Sequence, residues 1–230
     1  MKVAYVVTGL DATETTGETT ASIKKNDENA EVFVCLYSET KTEAEAVNEW
    51  CDKIEQISKD ITHICIIPDG STLSEKWLSI MTAYARDEKA IYMPVGGYYY
   101  DPENDNQFKG FLNTIMWKPQ VAEVVGELTT KLATRQIDHT LYGALIPLYV
   151  MKDYKFNKDI KYFSHFEFVN KVLKGDVEII GVPKVLYNLY KDYELKAVDK
   201  EEKMKYFEEA RNGYLPMVDL PPELLKLQGK

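Results

Sequence analysis

Short apolar runs alternate with polar, turn-forming segments along the first hundred residues, and the spacing of the runs predicts the elements. Val3–Val7 reads as a strand, and Gly9 lets the backbone turn at its end. Residues 11–31 are polar, with weak helical periodicity around Ala21–Lys25. Val32–Tyr37 is a second strand. From about Thr42 to Ser58, Ala44, Ala46, Val47, Trp50, Ile54 and Ile57 recur at helical spacing and give one apolar face. Ile61–Ile67 is a third strand, stopped by Pro68-Asp69-Gly70. Ser74 is placed to cap a helix carrying Trp77, Leu78 and Met81. Ala90–Val95 is a fourth strand running into Gly96-Gly97 and the Tyr98–Tyr100 cluster.

The second half is less regular. Residues 101–107 form a polar loop, Phe111–Trp117 is apolar, and Glu123–Leu132 has helical character. Leu141–Val150 is an apolar stretch containing Gly143 and Pro147. Tyr162–Leu173 reads as a helix stopped at Lys174-Gly175, and Val177–Val182 as a strand ended by Pro183. The strand–helix–strand rhythm predicts an α/β fold, a single domain with a mainly parallel central sheet flanked by helices. Apolar runs, rather than strict alternation, suit strands covered on both faces. Residues 1–195 are expected to form this domain and residues 196–230, rich in Lys and Glu, a peripheral helical extension.

Composition narrows the function. A formal net charge of -9 with no Lys/Arg block argues against a general nucleic-acid surface, which is normally basic. The N-terminal apolar hexad is too short for a signal sequence, and no run reaches membrane-spanning length, so a cytoplasmic protein is expected. Cys35, Cys51 and Cys65 match no metal-binding spacing and read as reduced, partly buried thiols.

Open parallel sheets bind ligands beyond the carboxyl ends of their strands, so the strand-to-loop junctions carry the candidate chemistry. Thr8-Gly9-Leu10-Asp11 allows close approach of a nucleotide to the backbone, or is a simple turn. Neither GxGxxG nor GxxxxGK[ST] is present. At Ile66-Ile-Pro-Asp-Gly-Ser71, an acid exposed after a buried strand can coordinate a divalent cation that bridges two phosphates. Asp69 is the candidate, with Ser71 a weak oxygen ligand; Asp-Gly is equally a turn signal. Asp138-His139 is a third candidate. His165 and Glu167 form a fourth, Glu167 as a general base and His165 as a donor to phosphate or a metal ligand, although residues two apart on a helix face different ways. His63 reads as structural.

Four segments together resemble the nucleotide-sugar glycosyltransferases of the GT-A fold, particularly the inverting family 2 type. Cys65–Leu78 resembles the strand, degenerate Asp-x-Asp turn and aromatic-containing helix of that family. Leu141–Val150 is similar to its glycine-containing apolar stretch, and Tyr154–Asp159 to the turn that follows. Tyr162–Phe168 is similar to its acidic helix start, and Val177–Pro183 with Tyr187 to its closing strand. The resemblance spans roughly residues 60–190. Pro68 or Asp69 stands at the first family Asp, Gly70 or Ser71 at the second carboxylate, and His165 at the usual base position.

The resemblance implies transfer of a sugar from a nucleoside diphosphate sugar, such as a UDP-sugar, to an acceptor hydroxyl with inversion. The acceptor would be a glycan, a protein or a small molecule. Thr8, Gly9 and Asp11 would lie near the nucleotide, and Asp69 near the diphosphate through Mn²⁺ or Mg²⁺. His165 or Glu167 would act as base, and Tyr98–Tyr100 would form part of an acceptor wall. The alternatives are a catalytically inactive binding protein of the same fold, which the altered carboxylate pattern favours, and a nucleotidyltransferase, which the missing Gly- and Arg/Lys-rich phosphate loop disfavours.

Overall fold

A computed structural model describes residues 1–10, 14–38, 40–101, 107–113, 141–160, 164–175 and 177–190. β1 (Val3–Gly9) is buried at all seven positions, because its alternate side chains enter two different cores. Ala4 and Val6 join one hydrophobic cluster, and Val3, Tyr5 and Val7 the other. This is the period-two geometry of a strand covered on both faces.

α1 (Glu14–Asn26) follows, then β2 (Glu31–Leu36), α2 (Glu43–Ile57) and β3 (His63–Pro68). β1 pairs in parallel with both β2 and β3. α2 begins where Thr42 accepts a hydrogen bond from the Glu45 amide at 3.2 Å, and it buries Ala44, Ala46, Val47, Cys51 and Ile54. The three cysteines are free, as read from the sequence, and buried rather than partly buried.

After a two-residue β4 (Thr72–Leu73) come α3 (Trp77–Tyr84), β5 (Ile91–Asp101) and β6 (Gln107–Asn113). β7 (Ile146–Pro147) leads directly into α4 (Leu148–Tyr154), and α5 (Ser164–Lys174) and β8 (Ile179–Leu189) complete the described chain. The strands are ordered β2-β1-β3-β7 and β4-β8-β5-β6, with β5 parallel to β8. Residues 142–147 stitch the two sets together: Tyr142 bridges to Ile66 of β3, and Leu145 to Tyr92 of β5. The fold is thus α/β, with a mixed but largely parallel central sheet between helices.

Several boundaries differ from the sequence reading. α1 is a full 13-residue helix, because its inward face carries Thr16, Thr19 and Ile23 and hydropathy alone understates it. Lys76, not Ser74, precedes α3; the Ser74 amide instead donates to the Leu186 carbonyl at 2.9 Å, extending the β4–β8 pairing. β8 runs through Pro183, which the sequence reading took as its end. The β5–β8 register passes from Val182 to Val185, so Pro183 sits at an irregularity where no ladder amide is needed. Leu148–Val150, read as part of one apolar stretch, opens a helix behind Pro147. The expected helix at 123–132, the Asp138-His139 pair and the 196–230 extension lie outside the described residues.

Candidate functional site

The carboxyl ends of β1 and β3 meet at one edge. Thr8 pairs with Pro68, and the Thr8 carbonyl accepts a hydrogen bond from the Asp69 amide at 2.6 Å. Pro68–Ser71 then closes a turn in which the Ser71 amide donates to the Pro68 carbonyl at 3.1 Å. Gly70 occupies its third position at φ 77°, a left-handed conformation that only glycine adopts without strain. The Asp-Gly signal was therefore a true turn, and that turn is what aims Asp69.

Asp69 is not the exposed acid expected from the sequence: it is 2% exposed, and its Oδ2 accepts a hydrogen bond from the Thr15 hydroxyl in the first turn of α1 at 3.0 Å. Thr8 and Ser71 are fully buried, and the Ser71 hydroxyl has no hydrogen-bond partner. Gly9 accepts from the Tyr37 amide at 2.9 Å, tying the ends of β1 and β2 together. Asp11 lies outside the described residues.

A carboxylate that sequence reasoning missed stands beside Thr8. Glu43, the first residue of α2, accepts from the Thr8 hydroxyl at 2.7 Å and from the Tyr142 hydroxyl at 3.3 Å at both oxygens. Withdrawal from water raises its pKa, against the lowering effect of these two donors. An acid in the first turn of a helix is expected on dipole grounds alone, which hid Glu43 among ordinary helix starts. Its one usable signal was position: it follows the second strand's loop at the same sheet edge as Thr8.

Tyr142 links this edge to His165, with ring centroids 4.7 Å apart in an edge-on arrangement. His165 also stacks on Phe156 at 5.1 Å, and its Nδ1 accepts from the Leu141 amide at 3.1 Å. Nδ1 is therefore the unprotonated nitrogen, and Nε2 carries the proton. Burial lowers the His165 pKa to about 3, so the ring is neutral at physiological pH. Glu167, 2% exposed, pairs with Lys171 one turn along α5 at 3.4 Å. Hydrogen bonds and a ring contact thus connect Asp69, Thr8, Glu43, Tyr142 and His165, and Gly9 and Ser71 stand beside them in the chain. Glu167 is buried two residues further along α5, where it pairs with Lys171.

Among the described residues, no three His, Cys, Asp or Glu side chains converge to form a metal site of their own. Asp69 and the partnerless Ser71 hydroxyl nevertheless suit a hard cation that arrives with a diphosphate, because Mg²⁺-like ions are held by one or two carboxylates plus substrate phosphates. His63 is elsewhere, at the opposite end of β3, buried against the Thr62 hydroxyl at 2.9 Å.

This α/β architecture recurs among solved structures. Among solved structures, S. aureus TarS residues 1–349 in complex with UDP-GlcNAc is similar with a TM-score of 0.61 at 11% identity, over 94% of this chain and 68% of that one. A longer TarS structure is similar with a TM-score of 0.60 at 11% identity, and this chain spans 41% of its length. GalNAc-T7 with UDP, GalNAc and Mn²⁺ is similar with a TM-score of 0.55 at 13% identity, over 99% of this chain and 54% of that one. At these identities the likeness is one of fold. No family model matches the chain, and no curated protein matches it. No described helix is long and apolar enough to cross a membrane.

Proposed function

We propose that the chain is a GT-A-type nucleotide-sugar glycosyltransferase, family 2-like, that transfers a sugar to an acceptor hydroxyl with inversion in the cytoplasm. The observation that carries this reading is Asp69, buried at the end of β3 and joined through its amide to Thr8 and through its carboxylate to Thr15. The fold is one in which other proteins have been solved with UDP-GlcNAc, or with UDP and Mn²⁺. Residues 1–195 form the donor-binding domain in this proposal, and 196–230 a peripheral extension.

The nucleotide lies across Thr8, Gly9 and Asp11, and the diphosphate lies over Asp69 and Ser71. Thr8, Thr15 and Ser71 are neutral, and Asp69 and Glu43 are acids. A diphosphate at this edge therefore calls for a cation, Mn²⁺ or Mg²⁺, held by Asp69 with help from Ser71. When bound, that cation offsets the charge gathering on the departing nucleoside diphosphate. On the acceptor side Glu167 takes the proton of the attacking hydroxyl. The hydroxyl oxygen bonds to the anomeric carbon as the bond from that carbon to the diphosphate oxygen breaks on the opposite face. His165, unprotonated at Nδ1 and bound there to the Leu141 amide, acts as a donor and holds the Tyr142 side of the site. Tyr98 and the stacked Tyr100–Tyr190 pair, with centroids 5.1 Å apart, form the acceptor wall, since aromatic faces pack well on sugar C–H surfaces.

The test is release of nucleoside diphosphate from a panel of uridine and guanosine sugars, with and without Mn²⁺ or Mg²⁺, and with the product anomer assigned by NMR. Metal-dependent release that Asp69→Asn abolishes supports the reading, and an inverted product supports its stereochemistry. The absence of both turnover and metal-dependent nucleotide binding overturns it. A second reading, an inactive binding protein of the same fold, is favoured by Pro68 and Gly70 standing where the resembled family carries carboxylates. Nucleotide binding without turnover of any donor would select it.

A further inference from the structure

Residues 15, 19 and 22 of α1 share one helix face at i, i+4 and i+7 spacing, and that face is a stripe of hydroxyls rather than an apolar seam. The stripe runs along the β3–β4 connection. Thr15 donates to Oδ2 of Asp69 at 3.0 Å, and Ser22 accepts from the Leu73 amide at 3.2 Å while donating to the Thr19 carbonyl at 2.8 Å. Thr19, between them, is fully buried and its hydroxyl has no partner. A buried hydroxyl without a partner is costly, and an apolar side chain there would pack at no such cost. The Thr15 hydroxyl differs from that of Thr19 in making a direct bond, and the bond is to the acid.

We propose that Thr15 is a positioning residue for Asp69, and that its hydroxyl fixes the carboxylate orientation needed to hold a divalent cation with a nucleoside diphosphate; this rests on the function proposed above. The turn fixes the backbone of Asp69 through its amide bond to Thr8 and the left-handed Gly70. The Thr15 hydroxyl, bonded to Oδ2, constrains rotation of the carboxylate about its own side chain. Hydrogen-bond partners of a metal-binding carboxylate act in this manner, and their removal costs about 10–100-fold in metal affinity.

The experiment is titration calorimetry of the full chain with UDP, with and without MnCl₂, on the wild type and on Asp69→Asn, Thr15→Val, Thr15→Ser and Thr19→Val, with thermal melts of each. Thr15→Val is expected to lose at least about tenfold in Mn²⁺-dependent UDP affinity while melting near the wild type. Thr15→Ser keeps the hydroxyl and should bind within about twofold of the wild type, a rescue that lost packing alone would not give. Thr19→Val, on the same face but without a bond to Asp69, should bind as the wild type. If Asp69→Asn loses the Mn²⁺ dependence and Thr15→Val keeps it, the positioning role is overturned and the site reading stands. If Asp69→Asn also binds as the wild type, the site reading falls and the role of Thr15 falls with it.

Discussion

The hydroxyl of Thr8, near the end of β1, donates to Oε1 of Glu43 at the start of α2 at 2.7 Å, so a buried strand end is closed by a carboxyl from a helix 35 residues away. Withdrawal from water raises the Glu43 pKa above 4.5. An acid so raised binds its proton more tightly folded than unfolded. Its contribution to stability is therefore full below about pH 4.5 and falls as pH rises through the folded value. Glu43→Gln keeps an acceptor for Thr8 and removes the charge. It should stand at or above the wild type at neutral pH and show a flatter decline of stability above pH 4.5. Glu43→Ala leaves the Thr8 hydroxyl buried without its acceptor and should cost about 1–3 kcal/mol. Urea melts at several pH values read both, and an unchanged slope in Glu43→Gln would remove Glu43 from the pH dependence.

Thr19→Val removes a fully buried hydroxyl that has no partner and replaces it with a methyl of nearly the same shape. The loss of an unmet polar group outweighs the small helix-propensity difference between Thr and Val. The variant should be as stable as the wild type or more stable by up to about 1 kcal/mol in urea unfolding. A loss above that size would mean that Thr19 bonds to a group that its static contacts do not reveal.

Much of this fold was legible because its central strands are apolar on both faces. Val3–Val7 and Ile61–Ile67 each reported a buried strand directly, Val32–Tyr37 reported the half-buried edge strand β2, and the α2 face from Ala44 to Ile54 reported its helix. The Asp69-Gly70 turn was legible for a backbone reason, since Gly at its third position is what the left-handed φ requires. Elements whose buried faces are polar, or whose ends are set by partners distant in sequence, escaped. α1 has an inward face in which Thr16 and Thr19 stand beside Ile23, and the two threonines hide it. The Ser74 amide is claimed by Leu186, more than a hundred residues on, so a good capping residue does not cap. Glu43 looks like any acid in a first helical turn until Thr8 and Tyr142 are placed opposite it.

The ring of Tyr187 lies between Gly97 and Gly143, and both glycines are required by it. A Cβ on Gly97 would fall 2.1 Å from Cε2 of that ring, and one on Gly143 would fall 2.9 Å from Cδ1, at a position that also has φ +69°. Tyr187 is 2% exposed in β8 and has little room to retreat. Gly97→Ala should therefore cost at least about 1–3 kcal/mol, as overpacking of a close-packed core does. Combining it with Tyr187→Leu should cost less than the sum of the two single changes, because the smaller side chain vacates the space the new methyl needs. Equilibrium unfolding of the two single variants and the double variant tests the pair; strict additivity would show that the clash is relieved elsewhere.

His63 and His165 oppose Glu43 in their effect on acid stability. Burial lowers His63 to about 4 and His165 to about 3, from 6.5 in each case. Between those values and 6.5 the unfolded chain binds protons that the folded chain refuses. Their contribution is thus fully present above pH 6.5, declines as pH falls, and is lost by the time each folded value is passed. Within that window each histidine contributes a slope approaching about 1.4 kcal/mol per pH unit. His165→Gln retains an oxygen that can accept from the Leu141 amide while removing the titration. It should flatten the acid side of the stability curve, and His63→Gln should flatten it further. Melting temperatures followed downward from about pH 7 provide the measurement. An acid slope as steep in the double variant as in the wild type would assign the sensitivity to the carboxylates instead.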